Sequence, residues 1–320
     1  MCKRFVMVLL LILIGLCVGL PADAEVKPPE KVKVFVSLVP IAYFVERVGS
    51  PDVEVSVLVG PGQEPHTFEP TPRLISKLAD AQILFKMGFP FEETLIKKME
   101  STFKKLEVVD LQQGIKLRAM TEEESEKAGH GHGKGEEHEH GHGALEEHGH
   151  HRGAGDMDPH TWLDPRIAKL QARTIADTLA RIDPGHKDRY EKNLKDFQTD
   201  LDAVHEQLTK ALAPVKGKSF FVFHPAYGYF GDAYGLKQIP VQIEGKEPTG
   251  KQLARLIDLA KKLGVKVVFV QPQFSKKSAD ALAKAIGGAV IPLDDLAPDY
   301  LKNLQEMAAK LDSALRVQKE

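Results

Sequence analysis

Short runs of β-branched and aromatic residues alternate with amphipathic stretches along most of the chain, and this alternation leaves few folds open. Val32 to Val39, Val53 to Val59, Ile83 to Met87 and Leu106 to Val109 read as strands with helical segments between them. A second series follows at Ser219 to Phe223, Gln238 to Ile243, Val265 to Gln271 and Ala289 to Leu293. Strands separated by helices pair in parallel, because a parallel pair needs a crossover and a helix supplies it. The two series predict two α/β lobes, each built on a parallel sheet.

Between them, residues 165–212 place apolar side chains at helical spacing: Leu170, Ile175, Leu179 and Ile182, then Tyr190, Leu194, Phe197, Leu201, Val204 and Leu208. Asp183-Pro184-Gly185 interrupts the pattern once. The spacing predicts a stiff helical connection over residues 165–213, between a first lobe over 25–164 and a second over 214–320. Open α/β sheets bind ligands beyond the carboxyl ends of their strands, so two facing lobes make a cleft there.

Met1 to Ala24 has the order of a secretory signal peptide: Lys3 and Arg4, the apolar run Phe5 to Leu20, then Pro21-Ala22-Asp23-Ala24. Cleavage is expected before Glu25, with export to the periplasm. Cys2 and Cys17 both lie in this segment, so the mature chain has neither disulfide nor thiolate ligand, and a metal site must use His and carboxylates. Leu16 stands before Cys17 where a lipid-anchoring signal has a small residue, which argues against lipidation. The formal charge of −2, with both signs interspersed, argues against nucleic acid.

Thr121 to Gly155 is almost wholly Gly, Glu and His, with His130, His132, His138, His140, His142, His148, His150 and His151. So little apolar surface cannot repay the cost of ordering, and the tract suits flexible, low-affinity metal binding.

The other histidines are His66, His160, His186, His205 and His224. His66 sits in the proline-stiffened loop Gly60-Pro61-Gly62-Gln63-Glu64-Pro65-His66-Thr67-Phe68-Glu69-Pro70, either as a metal ligand or as a hydrogen-bonded loop residue. His160, in Asp158-Pro159-His160-Thr161-Trp162-Leu163-Asp164-Pro165, is a ligand or a packing residue at a helix entrance that Asp164 caps. His224 ends the run Phe220-Phe221-Val222-Phe223, where a polar group points into the cleft rather than the core. Asp294, in Ile291-Pro292-Leu293-Asp294-Asp295-Leu296, holds the equivalent strand end and is the preferred fourth ligand, with Asp295 as the alternative. Either aspartate could instead cap the helix that follows. His186 and His205 lie on the connecting segment and receive no metal role.

Taken together, Pro65-His66-Thr67-Phe68-Glu69-Pro70, Asp158-Pro159-His160-Thr161-Trp162-Leu163-Asp164-Pro165, Phe223-His224-Pro225-Ala226-Tyr227-Gly228-Tyr229-Phe230 and Leu293-Asp294-Asp295-Leu296 resemble, in this order, the zinc and manganese substrate-binding proteins of ABC importers. The resemblance implies two Rossmann-like lobes bridged by a long helix, and a metal held by His66, His160 and His224 with Asp294 or water as fourth ligand. Zinc-type relatives commonly carry a His-rich insertion in the first lobe, as Gly129 to His151 does here. Relatives often read Leu-Asp-Pro-Leu where this chain has Leu293-Asp294-Asp295-Leu296, which leaves the fourth ligand open.

Three imidazoles with at most one carboxylate suit Zn²⁺, whereas Mn²⁺ prefers more carboxylate oxygen. Manganese-type relatives have an acidic residue at the position of His224. The expectation is therefore a zinc carrier that docks monomerically to a membrane permease, with zinc as cargo and no catalysis. Glu247 and neighbouring charges are possible docking features, though a solvated surface accounts for them better. Manganese capture, zinc buffering by the His-rich tract, and a zinc hydrolase with Glu64 as base are the competing readings.

Overall fold

The computed structural model describes residues 30–99, 105–120, 157–242 and 246–317. The expected signal peptide and the His-rich tract, with all eight of its histidines, lie outside the described residues. Among those described, no helix is long and apolar enough to cross a membrane.

The first lobe alternates β1 (Val32–Leu38), α1 (Val39–Gly49), β2 (Val53–Val59), α2 (Pro72–Leu78), β3 (Ile83–Lys86), α3 (Pro90–Met99) and β4 (Glu107–Asp110). After α4 (Pro165–Ile182) and α5 (Lys187–Leu212), the second lobe runs β5 (Ser219–Val222), α6 (Gly228–Tyr234), β6 (Lys237–Pro240), α7 (Gly250–Lys262), β7 (Val267–Val270), α8 (Lys277–Ala285), β8 (Ala289–Pro292) and α9 (Tyr300–Arg316). Both sheets are wholly parallel, in the orders β2-β1-β3-β4 and β6-β5-β7-β8. The same winding occurs twice, as the two sequence series predict, with strand boundaries unchanged for β2 and moved by at most three residues elsewhere. In each order the chain leaves the first strand to one side and returns to the other, so a crevice opens between β1 and β3, and again between β5 and β7.

Inner strands are buried on both faces and therefore read as continuous apolar runs: all of Val267–Val270 is buried, and β1 is buried except at Lys33. Of the edge strands, β4 and β8 carry mostly partly exposed residues instead.

The helical connection folds back on itself. Asp164 caps α4 by accepting the Arg166 backbone N–H at 2.9 Å, as its sequence context suggests. The chain then turns at Pro184–His186, and α5 runs antiparallel to α4, with Lys169 paired to Asp202 and Arg173 to Glu191. Asp183 fastens the turn, accepting from His186 Nδ1 and from the Tyr190 hydroxyl, each at 2.6 Å. His205 Nδ1 lies 3.2 Å from the Tyr234 hydroxyl. Both histidines are thus engaged away from the cleft.

At 26 residues α5 is about 39 Å long and packs on both α1 and α9. Helix α9 returns to the first lobe: Tyr300 stands edge-on to Phe44 at 4.7 Å between ring centres, and its hydroxyl donates to the Trp162 carbonyl at 2.5 Å. One apolar core consequently runs through both lobes, from Val36, Phe44 and Phe85 through Phe197 to Phe220, Phe269 and Leu311. A separate cluster covers the other face of the second sheet.

This shared core predicts joint unfolding of the lobes. Denaturant titration followed by Trp162 fluorescence and by circular dichroism is expected to give one coincident transition. Phe197→Ala, which opens a cavity between α5 and α1, should lower stability by about 3–5 kcal/mol without splitting that transition.

Candidate metal site

His66, His160 and His224 come from segments far apart in sequence and meet where the carboxyl ends of the two sheets face each other. Each is fixed differently.

His66 stands in a single 3-10 turn, Pro65–Thr67, that follows β2. Glu64 caps it: its carboxylate accepts the backbone N–H groups of His66 at 2.8 Å and Thr67 at 2.7 Å, and the Thr67 hydroxyl at 2.6 Å. Pro65 removes the freedom of the preceding φ angle. Phe89 meets the imidazole edge-on at 5.1 Å. That phenylalanine is held in turn by the buried Glu92, whose carboxylate accepts the N–H groups of Met87, Gly88 and Phe89 at 2.7–2.8 Å. Burial pushes the Glu92 carboxyl up, and these hydrogen bonds oppose the rise.

His160 is buried. Its Nδ1 lies 2.7 Å from Asp158 Oδ1, which also accepts the His160 backbone N–H at 3.0 Å. A carboxylate only accepts, so Nδ1 carries the hydrogen and Nε2 presents a lone pair. Burial alone would raise the Asp158 pKa, but hydrogen bonds from His160 and Arg118 outweigh it and hold the carboxyl below its usual range. The adjacent Trp162 donates from Nε1 to the Asp295 carbonyl at 2.9 Å, bracing this segment against the second lobe.

His224 follows β5 at the second crevice. Gln271, just past β7, brackets it: Gln271 Oε1 accepts the His224 N–H at 3.2 Å, and Nε2 donates to the His224 carbonyl at 2.7 Å. Nδ1 is 2.9 Å from Gln242 Oε1, which again leaves Nε2 as the free acceptor. Phe274 stacks on the ring at 5.1 Å between centres.

The three Nε2 atoms converge. His66 to His160 is 3.5 Å and His160 to His224 is 3.3 Å. Among the described residues this is the one cluster of three or more possible ligands, its ligand atoms all within 4.8 Å of one another. Two nitrogens each about 2.0–2.1 Å from a tetrahedral zinc stand about 3.3 Å apart, so this spacing suits one such ion.

The match extends along the chain. Residues 34–314 fit the model of the family described as zinc-uptake complex component A, periplasmic (ZnuA). The chain belongs to this family. It is 31% identical over 271 residues to the high-affinity zinc uptake system protein ZnuA of Bacillus subtilis, covering 83% of this chain and 79% of that one. It is also 31% identical over 313 residues to the zinc-binding protein AdcA of Streptococcus pyogenes, covering 95% of this chain but only 58% of that relative's length. A crystal structure of a ZnuA deletion mutant with zinc bound superposes with a TM-score of 0.76 at 35% identity, over 91% of this chain and 100% of that one.

In this ZnuA-family chain the two aspartates near the end are placed unequally. Asp294 Oδ1 accepts the Leu296 N–H at 2.9 Å, and Asp299, not Asp294 or Asp295, caps the helix that follows. Asp295 is buried, its Oδ1 has no hydrogen-bond partner among the described residues, and burial pushes its carboxyl up to about 7. Neither belongs to the cluster of converging ligand atoms. Glu64, the one base available to a hydrolase reading, has both carboxylate oxygens committed to its turn. Glu247 bonds to Ser278 at the start of α8 and is tied to the fold by that contact.

Asp158, Gln242, Gln271 and Phe89 are part of the site yet were not singled out in the sequence. Asp158 alone carried a signal, lying two residues before His160 in the quoted motif.

Burial and the neighbouring His160 depress the His66 pKa to about 3, and burial with His66 and His160 takes His224 well below its ordinary value. Both rings are therefore neutral, as coordination requires. In the unfolded chain they protonate near 6.5, so the unfolded state binds more protons below that pH. Metal-free protein should lose stability as pH falls from about 6.5 toward about 3, by up to about 1.4 kcal/mol per pH unit for the buried His224. Denaturant midpoints at pH 7, 6 and 5 check this, and His224→Leu should flatten the dependence.

Proposed function

We propose that this protein captures Zn²⁺ outside the cytoplasm and delivers it to the membrane permease of an ABC importer, with zinc as cargo and no chemistry performed on it. The observation that carries the reading is the convergence of three imidazole Nε2 atoms at 3.3 and 3.5 Å in the cleft. The ligands are His66, His160 and His224. The fourth position falls to Asp294, Asp295 or water, and single alanine substitutions assign it, because only the ligating aspartate weakens zinc when lost. A site of three nitrogens favours zinc over manganese. The family and its zinc-uptake relatives support the same cargo. Secretion through a cleaved signal over residues 1–24, a periplasmic and unlipidated mature protein, and a monomeric carrier complete the reading.

The lobes share a core and two long helices, so closure on the metal is small, and the ion is held mainly by ligands already in position. Zinc binding to a site formed only in the folded state adds its free energy to folding.

The deciding experiment titrates zinc against a competing chelator into protein lacking residues 129–153. One tight ion is expected, lost in the triple His66, His160, His224 to Ala variant. No tight ion in the deleted protein would transfer the function to the His-rich tract, whose expected share is extra, weaker ions only. Replacing an imidazole by a carboxylate hardens the site, so His224→Glu should narrow the preference for Zn²⁺ over Mn²⁺ by at least tenfold. An unchanged ratio in paired titrations would count against ligand type as the selector.

A further inference from the structure

His160 is fastened to more than Asp158. Asp158 is fully buried, and its second oxygen, Oδ2, accepts from Arg118 Nη1 at 2.9 Å. Arg118 follows β4 in the first lobe, its carbonyl accepts the Asp158 N–H at 3.0 Å, and two further bonds cross to α6: Nε donates to Asp232 at 3.1 Å, and its backbone N–H donates to the Tyr229 hydroxyl at 3.0 Å. That hydroxyl itself donates to the Asp158 carbonyl at 3.1 Å. Helix α6 begins four residues after His224. The frame holding His160 is thus anchored to the helix that leaves the ligand of the opposite lobe.

Gly228 gives the frame its seat. A Cβ there would collide with Arg118 Nη1 and stand 2.5 Å from Asp158 Oδ2, so only glycine lets the ion pair lie against the start of α6.

We propose that Asp158 and Arg118, seated on Gly228, are positioning residues for the metal: they fix His160 with Nδ1 protonated and Nε2 facing the ion, and tie its placement to α6 of the second lobe. This rests on the zinc-capture reading. The physical reason is that a free imidazole can carry its proton on either nitrogen and turn about two bonds. A carboxylate on Nδ1 selects the tautomer, and Arg118 keeps the carboxylate aimed. Outer partners of this kind typically change metal affinity by about 10- to 100-fold.

The test uses the full chain and two readouts. Zinc affinity is measured by chelator competition for wild type, Asp158→Ala, Arg118→Met and Gly228→Ala. The histidine tautomers are read in metal-free, ¹⁵N-labelled protein by long-range ¹H–¹⁵N correlation. Wild type is expected to show His160 protonated on Nδ1. Each variant should bind zinc about 10- to 100-fold more weakly and mix the His160 tautomers, with His224 unchanged. Wild-type His160 protonated on Nε2 would overturn the proposal, as would unchanged affinity in the variants or weaker zinc with an unchanged tautomer. Should Asp158→Ala fail to fold, Gly228→Ala and the wild-type tautomer still decide. A wild type that holds no tight zinc would instead sink the capture reading, leaving the tautomer result to judge the positioning on its own.

Discussion

Three imidazoles held with their Nε2 atoms 3.3 and 3.5 Å apart are the constraint around which this molecule is arranged. Protonated rings would repel one another at that distance, and no surface loop would keep neutral rings so aligned. Burial depresses the pKa of His66 and His224 and so keeps their lone pairs available. The same burial demands that each ring be gripped by its own neighbours, and every grip is different: a proline turn capped by Glu64, a carboxylate on Nδ1, and an amide on Nδ1 behind a strand end.

Such a site tolerates little relative movement of its supports, which accounts for the way the lobes are joined. The connection is a hairpin of helices, not a flexible strap, and α5 and α9 carry a continuous apolar core from one sheet to the other. The crossed contacts near the ligands repeat the theme at shorter range. Trp162 donates to the Asp295 carbonyl, Tyr300 to the Trp162 carbonyl and Tyr227 to the Leu293 carbonyl, all of them buried.

The sheets were legible because their signals are local. β-branched runs such as Val267–Val270 are buried on both faces and keep their character whatever surrounds them, and the spacing from Tyr190 to Leu208 marks one face of a single helix. The capping of the last helix was less legible, because several aspartates precede it. Asp294 and Asp295 stand before α9 and either could cap it by sequence, yet Asp299 does so, while Asp294 accepts the Leu296 N–H and the Asp295 carbonyl accepts from Trp162 Nε1.

The sequence by itself determined two parallel α/β lobes with a helical connection, and the histidines that could serve as ligands, since periodicity and the prolines around His66, His160 and His224 act within a few residues. Only the tertiary structure decided that the three side chains share one point and what holds them there. Gln242, Gln271 and Phe89 act on the rings across space, and although Asp158 lies two residues before His160, its own partner, Arg118, is 40 residues away in sequence. No local pattern can encode the distant pairings, because their energy exists only once segments far apart in sequence are folded against one another.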